Sequence, residues 1–473
     1  MLRSHTQVSM LSTSLSHVSR HGCLAGYFAM LIWLPLPLGS ATSWGWLFTT
    51  VCLMLLTGTA IRQYGPQAFP ILTANRWFMY GWALLCSWHL LLLIPLPEAM
   101  VEWLRPRRIL VNFIDANDWL ALTYSTSATF VSLLRSLSFW ALFTLTLLLM
   151  RSAARIKLLL RGIMAMGLFQ TLYSALMLFL DTPRSLILDL PSPAGATGTF
   201  LRPEDFSFSL FISLCAVLAL LVMRIKPADV RTLRHRLRRI VMYFFSKKAA
   251  LRIATLLLLV GIVLSGHYVS VWVASAATLA TALAGYCVFS PRPTLYRTFV
   301  FSLAGALAVT LVVTSFLAQR PAAVITPDIV TQEEAQWAYT TPDATEHWLL
   351  GAGPGTAKDG QTYTAGLPVP GVLPIAQQDL RQFMSEFGAP MLTVLAAMVL
   401  AALGSALMAM RQRQHVVFRS AAFMASAVLT GTVLHAFYAA PLQSPANAAY
   451  VSVMLGLSLV SLQCRNSSRT ASV

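Results

Sequence analysis

Ser207-Phe-Ser-Leu-Phe-Ile-Ser-Leu-Cys-Ala-Val-Leu-Ala-Leu-Leu-Val222 is an unbroken uncharged stretch, and ten Lys/Arg with one acid follow it between Arg224 and Arg252. Extended by its flanks to about 20 residues, such a segment matches the hydrocarbon thickness of a bilayer as a helix. A basic run beside it marks a cytoplasmic loop, because Lys and Arg are retained on that side. The rest of the chain repeats this pattern. Of 473 residues, 57% are hydrophobic and 11% charged, where soluble chains average about 25% charged; mean hydropathy is +0.67. The expected fold class is all-α, a polytopic helical membrane protein.

Working outward, about twelve candidate spans are centred near residues 31, 52, 88, 140, 169, 215, 258, 279, 308, 399, 427 and 455. With the N-terminus cytoplasmic, the basic clusters fall on one side. Arg62 and Arg76 follow span two, Arg151, Arg155 and Lys157 span four, Arg292 and Arg297 span eight, and Arg411, Arg413 and Arg419 span ten. Arg465 and Arg469 put the C-terminus there too. Arg105, Arg107 and Arg108 lie opposite, offset by Glu98, Glu102, Asp115 and Asp118. Leu264-Ser-Gly-His-Tyr268 reads as an outer turn between spans seven and eight, with a single tilted span as the alternative. The apolar stretch Leu24 to Leu38 has no clean small-residue cleavage site after it and is read as an uncleaved first span. The expected organisation is a membrane domain over 1–318 (spans one to nine), an extracytoplasmic loop over 319–388, and a membrane domain over 389–473.

That loop, Gln319 to Gly388, holds eight of the seventeen acidic residues and three Lys/Arg, in a chain of formal charge +17. A long loop outside the basic bias is expected to face away from the cytoplasm, where extracytoplasmic chemistry would occur. The pI near 10.1 reflects cytoplasmic loops that meet anionic lipid, so membrane lipid is the expected partner and nucleic acid is not. Cys23, Cys52, Cys86, Cys215, Cys287 and Cys464 lie in or beside apolar spans, which suggests neither a disulfide framework nor a metal site. Gly351-Ala-Gly-Pro-Gly355 lacks phosphate-loop spacing and reads as a turn. The run Arg224 to Arg252 is either a short amphipathic helix on the inner surface or a solvated loop. His89 and His435 fall within spans, where an ionisable residue is a functional hypothesis by default, although a neutral imidazole also packs between helices.

Five stretches, in order, resemble the O-antigen ligase and polymerase superfamily of bacterial membrane glycosyltransferases. Trp33-Leu-Pro-Leu-Pro-Leu-Gly39-Ser40, with Trp44 and Trp46 after it, looks like the family's first hairpin, and Ile94-Pro-Leu-Pro97 like its next landmark. Gly198-Thr-Phe200-Leu-Arg202-Pro-Glu204-Asp-Phe206 is similar to G-T-F-x-N-x-N-x-F. Trp337 with His347-Trp-Leu-Leu-Gly351-Ala-Gly353-Pro-Gly355-Thr356 resembles W…H-P-L-L-G-x-G-P-G. Ala376-Gln-Gln-Asp379-Leu-Arg-Gln382-Phe-Met-Ser-Glu386-Phe-Gly388 is similar to A-H-N-D-x-L-Q-x-x-x-E-x-G. The chain departs from the pattern at Gln377 and Gln378, where the family has His and Asn, at Arg202 and Glu204, where it has Asn, and at His267-Tyr268, where a Ser-Arg pair is expected.

The resemblance implies a bacterial inner-membrane enzyme that takes glycan from an undecaprenyl-pyrophosphate donor to a glycan or lipid A-core acceptor. No metal or cofactor is called for, and partners in a polysaccharide assembly complex are possible. Such transfer needs cations for the departing pyrophosphate, with Arg202, Arg381, Arg320 and Arg184 as candidates, since the guanidinium fork pairs with phosphate oxygens. It also needs a base for the acceptor hydroxyl, with Asp379, Glu386, His347 and His267 as candidates. On a helix from Gln377 to Gly388, Leu380, Phe383, Met384 and Phe387 form an apolar stripe. Asp379, Gln382 and Glu386 then line the opposite side, which either presents a carboxylate to the groove with its pKa tuned by partial burial or is the wet face of an ordinary interfacial helix. The alternatives are a secondary transporter of a small solute or lipid-linked sugar, and a catalytically inactive scaffold of a polysaccharide export system.

Overall fold

The computed structural model describes residues 22–104, 119–180, 185–187, 196–223, 249–266, 273–281, 285, 348–356 and 378–464. Twelve helices are named here: α1 (Gly22–Trp33), α2 (Ser43–Tyr64), α3 (Ala68–Ala74), α4 (Arg76–Leu93), α5 (Glu98–Leu104), α6 (Thr126–Leu149), α7 (Ala153–Leu180), α8 (Pro203–Val222), α9 (Ala249–Leu264), α10 (Asp379–Gln412), α11 (Val416–His435) and α12 (Pro445–Gln463). Among the described residues, seven helices are long and apolar enough to cross a membrane: α2 with its continuation through α3, then α6, α7, α8, α10, α11 and α12. The fold is all-α and membrane-embedded in character, but the expected count of about twelve spans is not reached. Helix α1 stops at Trp33 because Pro35 and Pro37 disfavour helix in the residues before them. Helix α9 has only 16 residues, and α4 carries Arg76 and His89 among its 18. Of the expected span near 279, residues 273–281 and 285 are described, all of them helical; the one near 308 lies outside the described residues.

Helices α8 and α12 form the centre, with 89% of each apolar window buried, whereas α10 sits at the rim with 22%. Apolar side chains gain little by leaving lipid for protein, so close packing and polar contacts must hold such helices together. Gly167 of α7 meets Ser213 of α8 so closely that a Cβ there would lie 2.3 Å from the serine Cβ. Tyr27 and Thr146 share a hydrogen bond of 2.8 Å, and Ser138 donates to Thr50 at 3.0 Å.

Successive long helices alternate in direction, giving the bundle two chemically distinct ends. At one end Asn75 and Gln463 pair reciprocally, at 2.6 and 3.3 Å, and Arg155 Nη1 donates to Tyr64 Oη and the Leu149 carbonyl. Arg62, Arg76, Arg151, Arg411 and Arg413 lie at this same end, at the termini of α2, α4, α6 and α10. At the other end β1 (Pro95–Pro97) pairs antiparallel with β2 (Trp119–Ala121), Leu96 opposite Leu120. Among the described residues no carboxylate lies beside these arginines in sequence, and the acids of α8 and α10 lie at the second end.

Candidate functional site

The second end is assembled from loops far apart in sequence. Thr199 Oγ1 donates to the Pro35 carbonyl at 2.6 Å and accepts from Gln170 Nε2 at 2.7 Å. Ser444 Oγ donates to the Gly39 carbonyl at 3.3 Å. These bonds tie the turn after α1 to the approach to α8 and the turn before α12.

Arg202 caps α8 in extended conformation, Pro203 opens the helix, and Glu204 and Asp205 occupy its first turn. Proline at the first helical position and acids near the positive helix end are both favourable. Arg202 grips Asp205 with two bonds, Nε to Oδ2 at 3.0 Å and Nη2 to Oδ1 at 2.9 Å. It also pairs with Glu204 at 2.6 Å and donates to the Ala440 carbonyl at 2.8 Å. Burial works to lower the Arg202 pKa, but Asp205, Glu204 and Asp379 outweigh it and hold the pKa above its ordinary value. Next to this group, Asp379 Oδ2 accepts the Leu442 amide at 2.9 Å and the Asp379 amide donates to Ala439 at 3.1 Å.

Two turns along α10, Glu386 is the second junction. Its Oε2 accepts the Gly355 amide at 2.8 Å and its Oε1 accepts Gln382 Nε2 at 2.9 Å. Its carbonyl takes the Gly353 amide at 3.1 Å, while the Ala389 amide donates to Trp348 at 2.6 Å. The glycine-rich turn and the start of α10 are thus joined backbone to backbone. Gly351 has φ +65° and Gly388 φ +74°, and a Cβ would lie 2.2 Å from the Glu386 oxygen at the first and 2.3 Å from the Leu349 oxygen at the second. Only glycine suits both positions. Gly388 also kinks the helix, and Pro390 follows two residues on. On its other side the turn is held by the Tyr124 amide, which donates to Ala352 at 3.0 Å.

Below the turn lie His89 of α4 and Arg135 of α6. His89 Nδ1 is 2.7 Å from the Leu85 carbonyl, while Nε2 is 3.3 Å from Ser132 Oγ and 3.5 Å from Ser136 Oγ. A carbonyl only accepts, so Nδ1 carries the proton and Nε2 is the acceptor. The Phe387 ring packs edge-on against the imidazole at 5.5 Å. The Arg135 guanidinium lies 6.0 Å from the Trp46 ring centroid. Its buried Nε has no hydrogen-bond partner among the described residues, and Glu386 is the carboxylate whose charge acts on it.

Of the residues singled out in sequence, Asp379 and Glu386 are buried, Arg202 is half-buried and Arg381 is exposed. His347, His267, Arg320 and Arg184 lie outside the described residues. Of the two readings of the Gln377–Gly388 helix, the wet acidic face is not what is found. Asp379 and Glu386 turn inward, while on the apolar stripe Leu380, Phe383 and Met384 are half-buried and Phe387 is buried. The cause is that the Gly351–Gly355 turn and the turn between α11 and α12 cover the acidic face and supply amide donors to it. Arg135 was passed over in sequence, although a cation inside an apolar span is itself a signal. Compared with models of protein families and with curated proteins, the chain matches none.

Proposed function

We propose that the chain is a bacterial inner-membrane glycosyltransferase of the O-antigen ligase/polymerase type, moving a glycan from undecaprenyl pyrophosphate to a glycan or lipid A-core acceptor. One observation carries the reading. The five stretches that resemble the superfamily are scattered from Trp33 to Gly388, yet they meet at one end of the bundle. Pro35 bonds Thr199, Arg202 and Asp379 converge on Ala439–Leu442, and Glu386 bonds Gly355. The hairpin at Pro95–Pro97 leads through β2 to Tyr124, which bonds Ala352.

The arginines gathered at the opposite end support placing that end, and both termini, in the cytoplasm. The meeting point then faces outward. In this reading α1, α4, α9 and the stretches near 279 and 308 complete a set of about twelve spans.

The acceptor hydroxyl oxygen attacks the anomeric carbon of the donor. A carbon–oxygen bond forms as the bond from that carbon to pyrophosphate breaks, and the electron pair leaves on undecaprenyl pyrophosphate. The hydroxyl proton passes to a base, for which Asp379 is the described candidate and His347 and His267 remain candidates. Exposed Arg381 faces the departing pyrophosphate, with Arg320 and Arg184 as further candidates. Glu386 and Arg202 act as positioning residues, since their polar atoms are engaged within the protein. That engagement also favours a second reading, an inactive scaffold of a polysaccharide export system.

Deleting the gene and running lipopolysaccharide and secreted polysaccharide on gels tests the proposal. Core without O-antigen, or single repeats in place of long chains, supports it. Normal polysaccharide in both fractions contradicts it.

A further inference from the structure

We infer that Arg135 is the centre of an anion site inside the bundle, built to take the phosphate or pyrophosphate group of a membrane lipid. The inference deepens the proposed transfer reading by assigning where the charged end of a lipid-linked donor is held, and it rests on that reading only for the identity of the lipid.

The argument begins with what surrounds the guanidinium. Arg135 lies nine residues into α6, about 14 Å along the helix, where an unpaired cation is costly. Among the described residues it forms no ion pair, and its buried Nε has no acceptor. The carboxylate acting on it, Glu386, already accepts from Gly355 and Gln382. Its other neighbours add donors. The buried Trp46 Nε1 has no acceptor among the described residues, and the guanidinium lies over that ring.

Ser132, at i−3, shares the α6 face with Arg135, and Ser136 stands at i+4 from Ser132 on the adjoining side. Both hydroxyls approach the one lone pair of His89 Nε2, so only one of them can donate there, and the other O–H is left for another acceptor. The glycine-rich turn closes over this face: a Cβ on Gly355 would sit 3.5 Å from Ser132 Cβ. The guanidinium, the Trp46 indole and a serine hydroxyl supply donors here, against Glu386, already engaged by Gly355 and Gln382, and Gln382 Oε1 as acceptors. That donor set around a planar guanidinium suits a tetrahedral oxyanion that accepts several bonds at once.

The test is equilibrium dialysis of the purified full chain against labelled inorganic pyrophosphate and against farnesyl pyrophosphate. The expected result is binding that Arg135→Gln weakens at least about tenfold, with Arg155→Gln, at the opposite end, unchanged. Binding of both compounds assigns the site to the charged group itself, and binding of farnesyl pyrophosphate alone assigns it to the lipid; each supports the proposal when Arg135→Gln removes it. If Arg135→Gln does not stay folded, Trp46→Phe decides, with affinity at least about threefold weaker expected. Unchanged affinity in the folded variant, or no binding of either compound by the parent protein, overturns the proposal. A chain that binds pyrophosphate through Arg135 but transfers no glycan would retire the transfer reading and leave this site standing.

Discussion

The Gly355 amide donates to Glu386 Oε2 at 2.8 Å across 31 residues of sequence, and this bond fastens the glycine-rich turn to the start of α10. Losing it strands a half-buried donor, which costs up to about 1–3 kcal/mol. Glu386→Ala is therefore expected to lower the thermal unfolding midpoint of the detergent-purified protein. Glu386→Gln keeps an acceptor for Gly355 and is expected to lose less. Equal midpoints for the parent and Glu386→Ala would remove the clasp from the account.

The glycines divide into two groups. Gly351→Ala and Gly388→Ala would press a methyl carbon into backbone oxygen, at 2.2 and 2.3 Å. Gly404, within α10, has open space around it, and alanine there gains up to about 1 kcal/mol in helix propensity. Size-exclusion chromatography of membrane extracts should show little monodisperse protein for the first two variants and normal or greater recovery for Gly404→Ala. Normal recovery of Gly351→Ala would mean the two backbones do not cross as described.

Arg202 holds Asp205 and Glu204 while one-fifth exposed, with side-chain exposure of 19%. Arg202→Gln is expected to cost about 1–3 kcal/mol, less than a fully buried pair because solvent screens it. The pH dependence follows from the sign of the shift. A folded-state pKa above the ordinary guanidinium value gives a contribution fully present below that value and lost only as pH rises past the folded one. The stability gap between the parent and Arg202→Gln should therefore stay constant between about pH 7 and pH 10. A gap that closes within this window would point to another group.

Much of the architecture was legible in sequence, for identifiable reasons. Ser207–Val222 reads as a span and forms the buried centre, because length and lack of charge suffice to specify a bilayer helix. The helix expected from Gln377 to Gly388 is seen as the start of α10, which Gly388 interrupts. The inward turn of Asp379 and Glu386 was not legible, because a helical stripe reports its own amphipathicity and says nothing of the amides that distant turns bring to the polar face. The shortness of α1 is less legible, because the stretch Leu24 to Leu38 stays apolar throughout while Pro35 and Pro37 end the helix without lowering its hydropathy. Arg135 was overlooked for a related reason, since one cation does little to the mean hydropathy of a 24-residue helix.

Alternating helices with arginines at one end predict a definite topology. Alkaline phosphatase fused after Tyr438, beside the meeting point, is expected to be active, and a fusion after Arg413 inactive. The reverse pattern would invert the whole assignment of sides.

The most direct measurement is transfer by the purified chain in lipid nanodiscs, supplied with an undecaprenyl-pyrophosphate-linked glycan and a lipid A-core or glycan acceptor and read by mass spectrometry. The account predicts glycosylated acceptor together with released undecaprenyl pyrophosphate, both lost in a folded Asp379→Asn variant. Intact donor and unmodified acceptor, from protein shown to be folded, would contradict it.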